Sequence, residues 1–262
     1  MPRIDIDEVL REKAPRFAKY IPRFVRNWLR RTIHEEALND ILAAGWNRPP
    51  QEFIHVAFER MRIAYRIDGL ERLDPAERYL FVANHPFGGL DGMMIADALI
   101  ERFGDARVVV NDLLMHVEPL QPIWLPVNKH GRQTAAYARR YDEAFAGELP
   151  ILTFPAGLCS RRRDGVVSDT PWRLNFIKRA HASGRKIVPL YVEGRLSDFF
   201  YRIARLRERL GIKLNVEMLW LPDEMFRQGG SRFRIVAGDP IAPDGLRGTL
   251  RQQADTVRGE VY

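Results

Sequence analysis

The sequence predicts an α/β fold in which a mixed, largely parallel sheet is flanked by helices and follows an N-terminal helical segment. Apolar residues between positions 17 and 29 recur every three or four residues, which is typical of a helix. From about residue 62, short β-rich runs alternate with helical stretches, as expected for strands joined by helices. The run LPILTF, residues 149–154, is almost wholly apolar and is typical of a strand buried on both faces. We therefore divide the chain into a helical, membrane-facing segment, residues 1–60, and an α/β domain, residues 61–262.

Local patterns along the chain predict the individual elements. In the N-terminal segment, Pro22 is expected to start a new helical piece, TIHE at 32–35 has the form of a capping box, and Gly45 is expected to end the next helix. Strands are predicted at residues 62–67, 79–84, 106–111, 149–154, 186–192 and 232–241, with an extended stretch at 123–128. Helices are predicted at about residues 91–103, 133–145, 171–183 and 198–211.

Composition limits the compartment and the partners without deciding the function. The 41 Lys and Arg residues exceed the 34 Asp and Glu residues, and the resulting charge of +7 favours nucleic acid, acidic carrier proteins or phospholipid headgroups. The chain starts without the apolar stretch of a signal peptide, and no run is long enough to span a bilayer. We therefore expect a protein that is made in the cytosol and stays there or lies on a membrane face. The single cysteine excludes an internal disulfide, and the six histidines show no spacing typical of metal ligands.

The segment FVANHPFGGLDG, residues 81–92, places His85 directly after a predicted strand and Asp91 six positions later. In open α/β sheets, binding sites form where strands end and loops begin. A neutral imidazole can take a proton from a hydroxyl, and a carboxylate on its other nitrogen fixes the tautomer and stabilises the imidazolium. The segment is therefore a candidate general base with its orienting acid. The alternative is a surface loop in which both side chains only make local hydrogen bonds.

A second segment, LTFPAGLCSRRRDG at 152–165, also runs from a buried strand into a Pro/Gly turn. Its three consecutive arginines, Arg161, Arg162 and Arg163, could present guanidinium groups to an anionic headgroup. A solvated loop is the alternative interpretation of the same arginines. Cys159 and Ser160 also allow a covalent route, although a lone cysteine beside a buried strand is more often a small core residue.

Together these two segments resemble the glycerolphosphate/lysophospholipid acyltransferase superfamily, and the resemblance covers roughly residues 60–240. The matching residues, in the order of the superfamily's motifs, are Asn84, His85 and Asp91, then Lys129 and Arg132 in LPVNKHGRQ, then Phe154, Pro155 and Gly157, then Pro189 in IVPLYVEG. The resemblance implies the acyltransferase fold, catalysis by His85 with Asp91, and substrate binding by Asn84, Lys129, Arg132, Phe154, Pro155, Gly157, Arg161 and Arg162.

Two departures point to one bacterial subgroup. Five residues instead of four separate His85 from Asp91, and Ala156 replaces the glutamate of the third motif. Both features look like the hemolysin-like acyltransferases, which include enzymes that complete ornithine and glycine lipids. The implied activity (EC 2.3.1) is O-acylation of a lyso-amino-acid lipid by an acyl carrier protein or coenzyme A thioester, with no cofactor and no metal. The alternatives are a 1-acyl-glycerol-3-phosphate or lysophospholipid acceptor and, from another class, an acyl-thioester hydrolase.

Two stretches suggest contact with a membrane surface. Trp28 and its aromatic neighbours form an apolar stripe edged by arginines, and the helix that begins near Phe199 carries Arg202 and Arg205. Such helices can lie in the bilayer interface; the alternative is that both pack their apolar side on the sheet. We expect a peripheral protein on the cytoplasmic face of the inner membrane. No nucleic-acid-binding motif is present, so nucleic acid is not expected as a partner.

Overall fold

The protein is described by a computed structural model that covers residues 3–13, 15–127 and 135–262. Nine strands are assigned in these ranges: β1 Ala64–Asp68, β2 Tyr79–Ala83, β3 Arg107–Asn111, β4 Trp124–Val127, β5 Ile151–Thr153, β6 Arg161–Arg163, β7 Val166–Ser168, β8 Lys186–Val192 and β9 Arg232–Ala237. The α-helices assigned there are α1 Ile6–Lys13, α2 Pro15–Ala18, α3 Arg23–Thr32, α4 Glu35–Ala44, α5 Pro50–Met61, α6 Gly89–Phe103, α7 Ala135–Ala146, α8 Asn175–Ser183, α9 Asp198–Arg209, α10 Leu221–Arg227 and α11 Leu250–Gly259.

Seven strands form one sheet in the order β1-β9-β8-β2-β5-β3-β4. All neighbouring pairs are parallel except β8 and β9, which are antiparallel. The mixed, largely parallel sheet predicted from the sequence is thus confirmed. Because β2, β5 and β8 run in the same direction, the residues that follow them meet at one edge of the sheet. This edge brings together the two predicted motif segments.

The core has two apolar layers, one on each face of the sheet. Along β2 every residue is buried, and alternate side chains point to opposite faces. Phe81 joins the layer that contains residues of α5 and α6, whereas Leu80 and Val82 join the layer that contains residues of α7, α8 and α11. Helices on both faces explain why the sequence of β2 reads as a continuous apolar run.

The N-terminal helices divide into a packed part and an exposed part. Residues of α4 and α5, such as Ile41 and Ile54, belong to the same apolar layer as the sheet residue Phe81. In α3, by contrast, Leu29 is the buried residue, and Phe24 and Trp28 face solvent. The predicted domain boundary near residue 60 coincides with the end of α5. It stays a prediction, because residues on both sides of it belong to the same apolar core.

Several local predictions can be compared with the structure. Helix α3 follows Pro22 and helix α4 ends at Gly45, as expected. The capping box at 32–35 is wrong: α3 runs through Thr32, and the residue before α4 is His34, whose backbone is left-handed and whose side chain binds Asp223 instead of capping the helix.

Three further differences concern the second half of the domain. Helix α8 begins at Asn175, later than predicted, because the chain before it is held by hydrogen bonds from Arg173 N to Pro155 O and from the Trp172 indole to Asp169. The arginine-rich turn is a β-hairpin of β6 and β7, and helix α11 was not predicted. No helix in the described ranges combines the length and the apolar character needed to cross a bilayer.

Candidate active site

His85 and Asp91 form a hydrogen-bonded pair at the carboxyl edge of the sheet. The Nδ1 atom of His85 lies 2.9 Å from Oδ2 of Asp91. His85 follows β2, and Asp91 lies in the first turn of α6, so a sharp turn must join them. Gly88 makes that turn with φ of 77°, and a side chain there would press against Cys159 and Leu221. The histidine and the acid that the sequence suggested as a pair are thus within hydrogen-bonding distance of each other.

Asp91 is completely buried, whereas the imidazole of His85 is 18% exposed. Burial raises the pKa of Asp91 above its usual range, while the hydrogen bond and charge of His85 and the amide of Phe87 act in the opposite direction. Phe87 N donates to both carboxylate oxygens, at 3.0 and 3.2 Å. A carboxylate at Nδ1 favours the tautomer that carries its proton there, which leaves the Nε2 lone pair available as a base.

The ring of His85 stacks on Phe154, the first residue of the second motif. The two ring centroids are 4.0 Å apart and the planes are inclined by 28°. Phe154 follows β5 directly, so the parallel pairing of β2 with β5 brings the two motifs together. The imidazole is therefore oriented by a hydrogen bond in its plane and by an aromatic ring against its face.

The peptide groups of His85 are also hydrogen-bonded to Ser160 of the second segment and to Asp169, which lies beyond that segment. His85 O accepts a hydrogen bond of 2.8 Å from Ser160 N. His85 N donates to Oδ1 of Asp169, at 3.1 Å. Asp169 follows β7, is 5% exposed, and was missed by the sequence analysis because no local pattern marks it.

Other residues of the motifs support the two turns. Asn84 is buried, and its side-chain amide donates to Val192 O and accepts from Val192 N, at 2.9 and 2.7 Å. Gly157 adopts φ of 66° and donates from its backbone to Phe154 O, at 2.9 Å, while Pro155 is buried. Pro189 lies within β8 and is paired with Val82. Substrate contacts by Asn84, Pro155 and Gly157 stay predictions.

The three consecutive arginines have different surroundings. Arg161 is buried, and its guanidinium binds Glu217, at 2.6 Å, and the carbonyl oxygen of Cys159. Arg162 pairs with Asp198, at 2.6 Å. Arg163 is exposed and lines a cavity of about 230 Å³ between the hairpin and α9. Substrate binding by Arg161 and Arg162 stays a prediction, and the structure gives both guanidinium groups protein partners.

The remaining candidates are Lys129, Arg132, Cys159 and Ser160. Lys129 and Arg132 lie outside the described residues. Cys159 is fully buried, and the hydroxyl of Ser160 is buried and donates to Asp169 at 2.6 Å, so neither side chain is presented to a substrate as a nucleophile. No cluster of histidine, cysteine and acidic side chains suited to a metal ion occurs within the part of the chain that the structure describes.

Comparison with known proteins identifies the class of enzyme. The chain belongs to the Acyltransferase family, which it matches over residues 8–262. It is therefore an acyltransferase that transfers groups other than aminoacyl groups (EC 2.3.1), as the resemblance of the motifs implied.

Two curated relatives are more specific. The lyso-glycine lipid O-acyltransferase of Phocaeicola vulgatus is 40% identical over 239 residues, which are 91% of this chain and 86% of that protein. The enzyme of the same name from Bacteroides thetaiotaomicron is 38% identical over 91% of this chain and 88% of its own length. A crystal structure of the 1-acyl-sn-glycerophosphate acyltransferase PlsC from Thermotoga maritima is 16% identical, with a TM-score of 0.49 over 81% of this chain and 75% of that one.

Proposed function

We propose that this protein is an O-acyltransferase that moves a fatty acyl chain from a thioester carrier to the hydroxyl of a lyso-amino-acid lipid of the lyso-glycine type. The observation that carries the proposal is the bonded pair of His85 and Asp91, with a partly exposed imidazole at the carboxyl edge of the sheet. The two relatives named lyso-glycine lipid O-acyltransferase support this acceptor over lysophosphatidate. Acyl carrier protein and coenzyme A both remain in the proposal as donors.

The proposed chemistry is general base catalysis. Nε2 of His85 takes the proton of the acceptor hydroxyl while its oxygen attacks the thioester carbonyl, and Asp91 stabilises the imidazolium that forms. The tetrahedral intermediate then expels the thiolate, which receives the proton from His85. An ester and a free thiol result, and His85 is neutral again. A correctly placed base of this kind contributes roughly 100- to 10,000-fold to the rate.

The N-terminus of α6 is suited to hold the negative charge that develops on the carbonyl oxygen. The first backbone N–H groups of a helix lack partners within the helix, and the helix dipole adds a positive potential. Helix α6 starts at Gly89, only four residues after His85. We propose that amides of this first turn hold the oxyanion. The amide of Phe87 precedes the helix and already donates to Asp91.

The acceptor is proposed to be held by its anionic end. Arg163 and Arg205, both exposed, line the cavity between the β6–β7 hairpin and α9. A glycine lipid ends in a carboxylate, for which the planar guanidinium is a suitable partner. Lys129 and Arg132 are proposed to contribute from the segment that precedes α7.

A membrane surface is proposed as the place of contact with the lipid. Trp28 of α3 and Phe199 of α9 both contact Trp220, at ring-centroid distances of 5.7 and 5.6 Å, which joins the two helices into one surface. We call this the aromatic–leucine surface. We propose that it includes the exposed apolar residues of α3, of α9 and of the chain that follows α9: Phe24, Trp28, Phe199, Leu206, Leu210, Ile212, Leu214 and Leu219.

Charge and burial support the membrane proposal. Exposed basic residues, including Arg23, Arg202, Arg209 and Lys213, occur on the same helices and the loop that follows α9. Helix α9 also buries part of its apolar side, as the alternative interpretation expected, since Phe200, Tyr201 and Ala204 are buried. The helix thus packs one face and exposes the other. We propose a peripheral location on the cytoplasmic face of the inner membrane.

The proposal is tested with purified protein, a long-chain acyl carrier protein or acyl coenzyme A thioester, and lyso-glycine lipid in mixed micelles. Diacylated product is measured by mass spectrometry, with 1-acyl-glycerol-3-phosphate as the competing acceptor. We expect the lyso-glycine lipid to be preferred and His85→Ala to reduce turnover by about 100-fold or more.

The matched control is His55→Ala, because His55 also pairs with a buried acid, Asp97, at 2.8 Å but lies on α5, away from the motifs. Wild-type turnover in His85→Ala would remove His85 from the mechanism. Release of free fatty acid at the same rate with and without acceptor would show a thioester hydrolase instead.

A further inference from the structure

The buried carboxylate of Asp169 accepts hydrogen bonds from three separate segments of the chain. Its Oδ1 atom accepts from His85 N, at 3.1 Å, and from the hydroxyl of Ser160, at 2.6 Å. Its Oδ2 atom accepts from the indole of Trp172, at 2.9 Å. The His85 turn, the turn after β5 and the segment before α8 therefore converge on one side chain.

The backbone of Asp169 is in turn held by the end of the chain. Asp169 N donates to the hydroxyl of Tyr262, at 2.8 Å, and Asp169 O accepts from the guanidinium of Arg258, at 3.1 Å. Tyr262 and Arg258 belong to α11 and the residues that follow it, so this carboxylate is anchored from outside the two motifs.

The position of Nε2 of His85 depends on two constraints. The bond to Asp91 fixes the rotation of the ring and its tautomer, but it does not fix the backbone from which the ring extends. The backbone is fixed on both sides, because His85 O accepts from Ser160 N and His85 N donates to Asp169. A displacement of about 1 Å at a reacting group can cost roughly 100-fold in rate.

From this geometry we infer that Asp169 is a positioning residue of the acyl transfer reaction, which holds the peptide of His85 at the distance from the acceptor that proton transfer needs. The inference rests on the proposed role of His85 as the base. The site then contains two acids with different roles. Asp91 binds the ring of His85, whereas Asp169 binds its main chain.

The test is Asp169→Asn, which keeps the size of the side chain. The three groups bonded to the Asp169 carboxylate are all donors. An amide presents one acceptor and one donor group, so in either orientation it sets an N–H group against another donor. We expect kcat to fall about 10- to 100-fold, with the KM of donor and acceptor within about twofold of wild type, since no substrate contact is removed.

The matched control is Glu224→Gln. Glu224 is also fully buried, and its oxygens also accept from a backbone N–H and a serine hydroxyl, both of Ser197. Both variants are expected to lower the midpoint of thermal unfolding, but only Asp169→Asn is expected to lower kcat per folded enzyme. Equal kcat values in the two variants would overturn the inference and leave a purely structural role for Asp169.

Two further comparisons distinguish failure of this inference from misfolding of the variant and from failure of the proposed function. In the wild-type protein, the amide of His85 should exchange with deuterated water far more slowly than an exposed loop amide, because its acceptor is buried; rapid exchange would contradict the inference even if Asp169→Asn did not fold. An inactive His85→Ala together with an unimpaired Asp169→Asn would overturn this inference alone, whereas an active His85→Ala would overturn the proposed function.

Discussion

The ring of Phe154 lies against the imidazole of His85, with centroids 4.0 Å apart, although 68 residues separate the two in the sequence. The contact exists because β2 and β5 are parallel neighbours, so that the residues following them emerge side by side. It connects the motif that carries the candidate base with the motif that carries the Pro/Gly turn.

We expect Phe154→Leu to lower kcat about 2- to 10-fold, because a stacking contact of this kind is worth roughly 0.5–1.5 kcal/mol beyond its burial. Product formation under saturating substrate measures the effect. The control is Phe226→Leu, which removes the ring that lies against His34 in a tilted arrangement, at a centroid distance of 4.7 Å, and should leave kcat unchanged. Equal losses in both variants would mean that the effect reflects general destabilisation.

Asp91→Asn should abolish most of the activity while the fold is kept. The asparagine oxygen can still accept from Phe87 N, but its NH₂ group then faces Nδ1 of His85 and favours the tautomer with the proton on Nε2. A protonated Nε2 cannot act as a base, and we expect kcat to fall about 100- to 10,000-fold.

The control for that variant is Asp97→Asn on the same helix. Asp97 makes the equivalent bond to His55 and a second one to the hydroxyl of Tyr65, at 2.6 Å. Its substitution should affect thermal unfolding and leave turnover near that of the wild type. If Asp97→Asn lost as much activity as Asp91→Asn, the loss would reflect a general disturbance of α6 and not the bond between Asp91 and His85.

Glu217→Leu should strongly destabilise the protein. Glu217 is completely buried and pairs with Arg161, at 2.6 Å, and with Arg207, at 3.1 Å. Its loss leaves the buried guanidinium of Arg161 without its carboxylate, which typically costs about 3–5 kcal/mol. Urea unfolding measures the change, and Asp198→Asn, which breaks the more exposed pair with Arg162, should cost less than about 1 kcal/mol.

The stability should fall at alkaline pH in a way that depends on Tyr201. Burial raises the pKa of Tyr201 from 10.0 to about 12. Between these values the unfolded chain releases the proton of Tyr201 and the folded protein keeps it. The contribution of Tyr201 to the free energy of unfolding therefore decreases as the pH rises through this window and is constant below it. The Tyr201→Phe variant lacks this decrease.

Below pH 10 we expect Tyr201→Phe to be less stable than the wild type by about 1 kcal/mol, because the phenol accepts a hydrogen bond from Leu196 N. The difference should shrink or reverse towards pH 12. Denaturant unfolding at a series of pH values measures it. A constant difference across the series would show that this phenol does not carry a raised pKa.

Binding to anionic vesicles should depend on the aromatic–leucine surface. Phe24 and Leu214 are 73% and 72% exposed, so Phe24→Ser and Leu214→Ser should leave stability nearly unchanged. We expect each to weaken vesicle binding about 5- to 30-fold, in line with roughly 1–2 kcal/mol for a large apolar side chain. Tyr191→Ser is the control, because Tyr191 lies near Tyr262 and not near Trp220. Wild-type protein that does not sediment with such vesicles at low salt would contradict the membrane proposal.

The sequence predicted those features that depend on short-range patterns. Local patterns showed the apolar run of β2, the strand that starts at Lys186, and the positions of His85 after a strand and of Asp91 near the start of a helix. Helix α11 could also have been found, since Thr249 and Gln252 form a capping box ahead of the buried Ala254 and Val257.

The unpredicted features depend on contacts between distant segments. Asp169 is recognisable only once His85, Ser160 and Trp172 have been brought together, and His85 is 84 residues away in sequence. Arg161 reads as a surface residue in a run of arginines, and only the approach of Glu217, 56 residues later, explains why it is buried. Periodicity carries no information about either pairing.

The side chain of Asn84 takes the place of a peptide group, because its donor and its acceptor both bind Val192 at the first residue after β2. An apolar replacement would leave an N–H and a C=O without partners, and solvent would be the natural substitute. In the proposed reaction, water admitted one residue from the imidazole would compete with the acceptor alcohol for the acyl donor. In that reaction the side-chain amide of Asn84 would therefore affect the ratio of acyl chains transferred to a lipid to acyl chains released as free acid.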